Sequence, residues 1–366
     1  MRKLSTIILS AAILWGSGCT ESIEPQRRAI ALSASMSEAL VDGGVQTKAD
    51  AVGALPYTGT PAQNNQLDVA LWFSYKQGSY SHAPEAPQFL PCATTTTYLN
   101  SAPTNIKTGE NELLYPHPTD QNYSIERSDV YCVGFHPAED WGNPTDANAK
   151  TSASHVVNGS QDLMFSDQMV GSSDRNFGTQ QFGHLLTWVK INLSATYAEA
   201  ADVWGDVESL TIVSPKNNVE IAFSSEKNQD GTLQASTVSY TGVSEDFALA
   251  LPDDKGLNLT TKTFGQAFCT PPAYAAKNAG TGKYEYQTGG TGDLGYIIKV
   301  KTAKIPEKEV FVNLTKEDGS SISDADYAVG KLFIINLYFN EIAVIEGICT
   351  LRQWEDQSSF IYLEQQ

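Results

Sequence analysis

"KLFIINLYFN", Lys331–Asn340, decides the fold: it holds no Gly or Pro, and half of its side chains are β-branched or aromatic. The stretch is too short to span a bilayer, which takes about 20 apolar residues. It reads instead as a strand with partial period-two alternation. The same composition recurs along the chain in "LDVALWFSY" (Leu67–Tyr75), "SDVYCVGFHP" (Ser128–Pro137), "VESLTIVSP", "NVEIAFSS", "YIIKVKT" and "EVFVNLT". Between these lie turn clusters, "NQDGT" (Asn228–Thr232) and "KEDGSS" (Lys316–Ser321), whose Asp-Gly pairs supply the positive φ of tight hairpins. Only "ATYAEAADVWG" (Ala195–Gly205) reads as a short helix. Many short strands with polar turns predict an all-β protein of β-sandwich type.

The strands fall into two groups. One runs from about Ala29 to Gln168, and the other starts at "FGHLLTWVKINLSA" (Phe182–Ala195) and continues to the C-terminus. The polar, glycine-bearing "MVGSSDRNFGTQQ" (Met169–Gln181) between them reads as a linker. Each group offers about seven strands, the count of a small Greek-key sandwich. The division expected is 1–18 as a leader, 19–48 as an N-terminal segment, and sandwich domains at 49–178 and 179–366. No internal repeat is visible.

The chain begins "MRKLSTIILSAAILWGSGCTES". Arg2 and Lys3 precede an apolar run, Leu4–Trp15, which is followed by small residues and then Cys19. That pattern reads as an export signal ending in a bacterial lipobox, with Cys19 the lipidated residue. The remaining cysteines, Cys92, Cys132, Cys269 and Cys349, are widely spaced and form neither CxxC nor a zinc pattern. Up to two disulfides or free buried thiols are equally compatible with that spacing. A net charge of −18 over 366 residues argues against nucleic-acid binding, because no basic patch is available to displace phosphate counterions. It argues equally against adsorption to anionic lipid, leaving acyl chains as the expected membrane contact.

Enzyme motifs fail on context. "GTGDLG" (Gly290–Gly295) matches GxGxxG, but the strand-like "YIIKVKT" follows it where a dinucleotide site opens a helix. "GTGK" (Gly280–Lys283) lacks the spaced first glycine and the Ser/Thr of a P-loop. GxSxG is absent, and His82, His117, His136, His155 and His184 form no HxH or HExxH pair. Glu139, Asp140 and Asp146 in "HPAEDWGNPTD", like Asp253–Asp254 and Asp324/Asp326, read as solvated loop acids rather than a calcium site. No catalytic residue, metal site or cofactor is expected, and the sequence predicts a non-enzyme.

In order along the chain stand the lipobox, "TKAD" (Thr47–Asp50), "VALWFS", "VYCVGFHPAED", "DLMFSDQ" with "FGHLLTWVKINL", and the late "GKLFIINLYFN" followed by a Trp. This succession resembles the fimbrillins of Bacteroidales, the lipoprotein pilins of type V fimbriae. The resemblance implies two tandem transthyretin-like sandwiches on an outer-membrane lipid anchor at the cell surface. It also implies a structural subunit, serving adhesion, that partners other pilus subunits and a trypsin-like protease. In such pilins an N-terminal strand fills a groove until it is cut away, and a neighbour's donor strand then replaces it by β-augmentation. The residues that match are "AIALSASM" (Ala29–Met36) as the plug, with Ile30 and Leu32 on one face. Lys48 matches the processing site, with Arg28 in the Arg27–Arg28 doublet as the other candidate. Phe360, Ile361, Tyr362 and Leu363 are the candidate donor strand, the alternative being an ordinary last strand of the second domain. The alternative is a monomeric surface lipoprotein that binds glycans or host proteins, for which Trp141 would serve as an exposed platform. Trp72, Trp188 and Trp204 read as core.

Overall fold

The computed structural model describes residues 33–36, 66–80, 95–100, 111–114, 129–139, 141–142, 149–288, 290, 292–315, 329–340 and 345–353. The first strands in the chain are β1 (Ser33–Met36), β2 (Gln66–Ser74), β3 (Thr95–Asn100), β4 (Asn111–Leu114) and β5 (Val130–His136). After them come β6 (Ser152–Val156), β7 (Met164–Gly171) and β8 (Thr179–His184). All but β6 form a closed barrel in the order β1-β4-β3-β2-β5-β7-β8, with β8 returning to β1. Strand β5, buried along its whole length, reads as the continuous apolar "VYCVGFH" that a strand covered on both faces requires. Gly134 within it leaves room for a neighbour: a Cβ there would stand 2.6 Å from Phe182 Cζ.

The chain continues through β9 (Thr187–Ala195), α1 (Ala200–Trp204), β10 (Val207–Ser214), β11 (Asn218–Ala222), β12 (Thr237–Thr241) and β13 (Glu245–Ala248). Next are β14 (Lys262–Cys269), β15 (Ala273–Lys277), β16 (Tyr284–Tyr286) and β17 (Asp293–Thr302). The last are β18 (Lys308–Thr315), β19 (Lys331–Phe339) and β20 (Ile345–Gln353). Ten of these strands make one sheet whose path is β13-β10-β17-β18-β20-β19-β9-β14, with β15 and β16 attached to β17. Next to its β14 edge runs the parallel pair β9–β19, in register from Leu332↔Trp188 to Phe339↔Ala195. A partly buried polar row crosses β14, β9 and β19, from Thr263 Oγ1 to Asn192 Oδ1 at 2.9 Å and from Asn192 Nδ2 to Asn336 Oδ1 at 3.0 Å. Each polar group there finds a partner, which is the condition for burying it cheaply.

The protein is all-β, as its strand-rich sequence predicts, and α1 falls inside the one segment that reads as helix. The helix is one short turn that carries Trp204 into the core. Its indole donates to Asn340 O at 2.8 Å and meets Phe339 edge-on at 4.9 Å. Gly205 ends it at φ 71°, a left-handed value that glycine adopts without steric cost.

Two boundaries differ from the sequence reading. "FGHLLTWVKINLSA" does not open the second group of strands: its Phe182–His184 end β8 of the barrel and β9 begins at Thr187, with Leu185 N bonded back to Leu163 O at 2.7 Å. The stretch 169–181, read as a linker, is the end of β7, a turn and the start of β8. The expected division at 178/179 therefore falls between two strands of the barrel. Alternation along a strand reports which face is covered, not which sheet the strand joins.

The two sets of strands are stitched together. Strand β6 leaves the barrel and pairs with β11, which pairs with β12, in a separate three-stranded sheet. One apolar core is continuous from Trp72 to Cys349. At its crossing point Trp72 packs on Phe135 at 4.7 Å and on Phe223 at 6.1 Å, and Tyr80 meets Phe223 edge-on at 5.0 Å. Such pairs each add about 0.5–1.5 kcal/mol beyond the area they bury.

Candidate functional site

The barrel's closure is the feature with functional content. Strand β1 comes from the N-terminal segment, and its next described neighbour in sequence is Gln66. It lies parallel to β8, with Ser33↔Thr179, Ala34↔Gln180, Ser35↔Gln181 and Met36↔Phe182, and antiparallel to β4, with Ser33↔Glu112 and Ala34↔Asn111. Strands β4 and β8 do not pair with each other. Withdrawing β1 would leave two facing edges with unmet N–H and C=O groups, the arrangement that recruits another strand.

Beneath this closure the wall is polar as well as apolar. Gln180 of β8 is fully buried; its Nε2 donates to Cys132 Sγ at 3.2 Å, and its Oε1 has no hydrogen-bond partner among the described residues. Near the far end of β8, His184 Nδ1 and Asp162 Oδ2 are 2.6 Å apart in a buried pair. That pair makes His184 a structural, hydrogen-bonded residue.

The β1 segment is the part of "AIALSASM" that the structure describes. Ile30 and Leu32, Arg28, Lys48, Cys19, Cys92 and Phe360–Leu363 lie outside the described residues. The two strands that β1 pairs with, Asn111–Leu114 and Thr179–His184, were missed in the sequence. "NELL" is short, and "TQQFGH" is a polar run whose only strand signal is its partial alternation.

Trp141 corrects an expectation. It is wholly buried rather than an exposed platform; it stacks on Phe135 with ring centres 5.0 Å apart, and its indole donates to Pro137 O at 2.9 Å. The Pro-Ala-Glu turn after a cis His136–Pro137 bond folds it inward. Glu139 lies 3.4 Å from His155 Nε2, while Asp140 and Asp146 lie outside the described residues. Among the described residues no group of three His, Cys, Asp or Glu is placed to hold a metal ion. No described helix is long and apolar enough to cross a membrane.

The glycine motifs are turns. Gly282 at φ 69° closes the β15–β16 hairpin, where Gly282 N donates to Asn278 O at 2.8 Å. Gly290 and Gly292 precede β17 rather than a helix, with φ 72° and 112°. The loop at Asn228–Thr232 has Gly231 at φ 82° donating to Asn228 O at 2.9 Å.

Cys132, Cys269 and Cys349 are free, buried thiols. Burial pushes the Cys269 and Cys349 thiols well up, so neither is poised as a nucleophile.

No protein-family model matches the chain, and no curated protein sequence does. Solved structures with low similarity do. A proposed cell adhesion protein from Bacteroides uniformis is 13% identical with a TM-score of 0.48, over 89% of this chain and 99% of that one. A proposed cell adhesion protein from Bacteroides ovatus is 12% identical with a TM-score of 0.44, over 90% and 99%. A fimbrial protein from Bacteroides vulgatus is 12% identical with a TM-score of 0.30, over 80% and 93%.

Proposed function

We propose that this chain is a lipid-anchored structural subunit of a cell-surface fimbria, assembled by exchange of β1 for a strand from a neighbouring subunit and serving adhesion. The observation that carries the reading is β1 itself. A short strand from the N-terminal segment, paired on both sides, is all that lies between β4 and β8. The order of motifs that resembles fimbrillins supports it independently.

The mechanism follows from tethering. While β1 is joined to the rest of the chain, its effective concentration at its own gap exceeds that of an incoming strand, and the protein stays monomeric. A cut at Lys48, in the segment between β1 and β2, would leave β1 held by its pairing alone. A neighbour's Phe360–Leu363 would then replace it if the new strand buries more apolar surface or makes better hydrogen bonds. Lipidation of Cys19 would hold the unprocessed chain at the outer membrane. With Trp141 buried, the alternative of a glycan-binding monomer loses the platform on which it stood.

Limited digestion with a trypsin-like protease tests this. The parent chain should yield a ladder of SDS-resistant oligomers, and Lys48→Gln should remain a monomer while Arg28→Gln still assembles. A parent chain that stays monomeric after loss of its N-terminal segment would refute strand exchange. Assembly of the Lys48 variant would move the processing site elsewhere.

A further inference from the structure

We propose that the free edge of β12 pairs two copies of this chain side by side, antiparallel about a two-fold axis at Ser239, so that their three-stranded sheets join into one. The contact does not involve β1, so it stands whether or not strands are exchanged at the barrel.

The register of the small sheet fixes which way its main chain points. Phe223 N donates to Thr151 O and Val157 N to Asn217 O, both at 2.9 Å, so the odd-numbered residues of β11 bond to β6. By the two-residue period Asn218, Glu220 and Ala222 bond instead to β12, through Thr241, Ser239 and Thr237. Val238 and Tyr240 therefore turn their N–H and C=O groups away from the sheet. Neither main chain meets a partner on that side among the described residues.

The next outward positions on either side are closed within the chain. Ser236 N donates to Asp167 Oδ2 at 2.9 Å, and Gly242 O accepts from Lys216 Nζ at 3.1 Å. The opposite edge of the same sheet is guarded along its length. There Lys150, just before β6, pairs with Tyr80, and Ser154 N donates to Trp141 O at 3.1 Å. The middle of β12 has no such cover. Its "TVSYT" also lacks the charges, prolines and bulges that blunt an exposed edge.

A second β12 fits this edge. With the axis at Ser239, Val238 stands opposite the second copy's Tyr240 and Tyr240 opposite its Val238, so each outward N–H meets an outward C=O. Thr237 then stands opposite the second copy's Thr241, with Thr237 on the exposed face of the sheet. Charge sets the direction. Antiparallel pairing brings the Asp167 end of one edge against the Lys216 end of the other, and does so twice. Parallel pairing would set like charge against like. The strand itself carries none of the chain's net charge of −18. A ladder of five residues covers far less than the roughly 1,600 Å² of a standard interface, so the pair comes apart on dilution. Copies held close together would form it more readily.

The test is sedimentation equilibrium of the intact, uncut chain over a wide concentration range. It should show a monomer–dimer equilibrium, with amide exchange at Val238 and Tyr240 slowing as the dimer forms. Two double variants probe the register. Thr237→Lys with Thr241→Lys, and Thr237→Glu with Thr241→Glu, should each dimerise about tenfold more weakly, because like charges then stand opposite each other. Mixed in equal amounts, the two should pair at least as well as the parent, which also shows that both fold. Val238→Pro removes an outward N–H without touching the β11 ladder and should weaken the pair by about tenfold. The proposal is overturned by a parent chain that stays monomeric, or by a dimer whose affinity the charged variants leave unchanged. A mixture that pairs no better than either variant alone would overturn it as well.

Discussion

Gly134 shows how a single missing side chain governs the barrel. Phe182 fills the space a Cβ would take, and Phe182 stands opposite Met36 in the β8–β1 register. Gly134→Ala should cost about 1–3 kcal/mol through overpacking, since Leu71 Cδ2 at 3.2 Å closes the other direction. Urea unfolding would measure the loss, and amide exchange should quicken in β8 first. Wild-type stability would show that Phe182 can swing aside. The sequence could not have singled out this glycine, because its role depends on a ring that arrives from β8. Trp141 makes the same point in reverse. Its neighbours in sequence are polar, so it read as exposed, whereas what buries it is Phe135 and the ring of His155, 4.8 Å away. Local polarity does not report long-range packing.

At the scale of elements, the strands that were legible are those with a strong apolar content: β5, β9 and β19 lie within stretches read as strands, and β17 contains one, with its first three residues read as loop. β4 and β8, which flank β1, were not read as strands, and neither were β3, β6 and β12 to β16. Short or polar strands take much of their stability from the neighbours they pair with, so their sequence signal is weak. The pairing of β1 gives a direct prediction. Ala34→Pro removes a main-chain donor from a strand with neighbours on both sides, which should loosen β1 without any protease. Size-exclusion chromatography should then show oligomers from the uncut chain, and exchange should rise at Thr179–Phe182. A variant that stays monomeric with β8 still protected would show that β1 does not guard the seam.

The whole molecule should lose stability in base. Tyr296 is buried and Tyr286 partly so, and desolvation raises both phenols above their usual value of about 10. The Cys269 and Cys349 thiols are raised for the same reason. Above pH of about 9 the unfolded chain loses these protons while the folded chain keeps them, so stability falls as pH rises. The contribution is complete below the unfolded values and disappears above them. Thermal melts between pH 7 and 11 should show a steep drop in Tm beyond about pH 9–10. Tyr296→Phe should blunt that drop, although it also forfeits the bonds to Thr187 Oγ1 at 2.6 Å and Thr270 O at 3.0 Å. A flat profile would mean that these groups are reached by water.

The exit of β6 from the barrel decides what a nick would do. Phe223 N bonds to Thr151 O and Val157 N to Asn217 O, both at 2.9 Å, at the two ends of the β6–β11 ladder. Nearby Asp167 accepts from Ser236 Oγ at 2.5 Å, and Gln168 Nε2 donates to Ser224 O at 2.8 Å. A chain severed in the turn between β7 and β8 would therefore not fall into two halves. Its pieces would co-purify under native conditions and part only in denaturant, as two polypeptides sharing one sheet and one core.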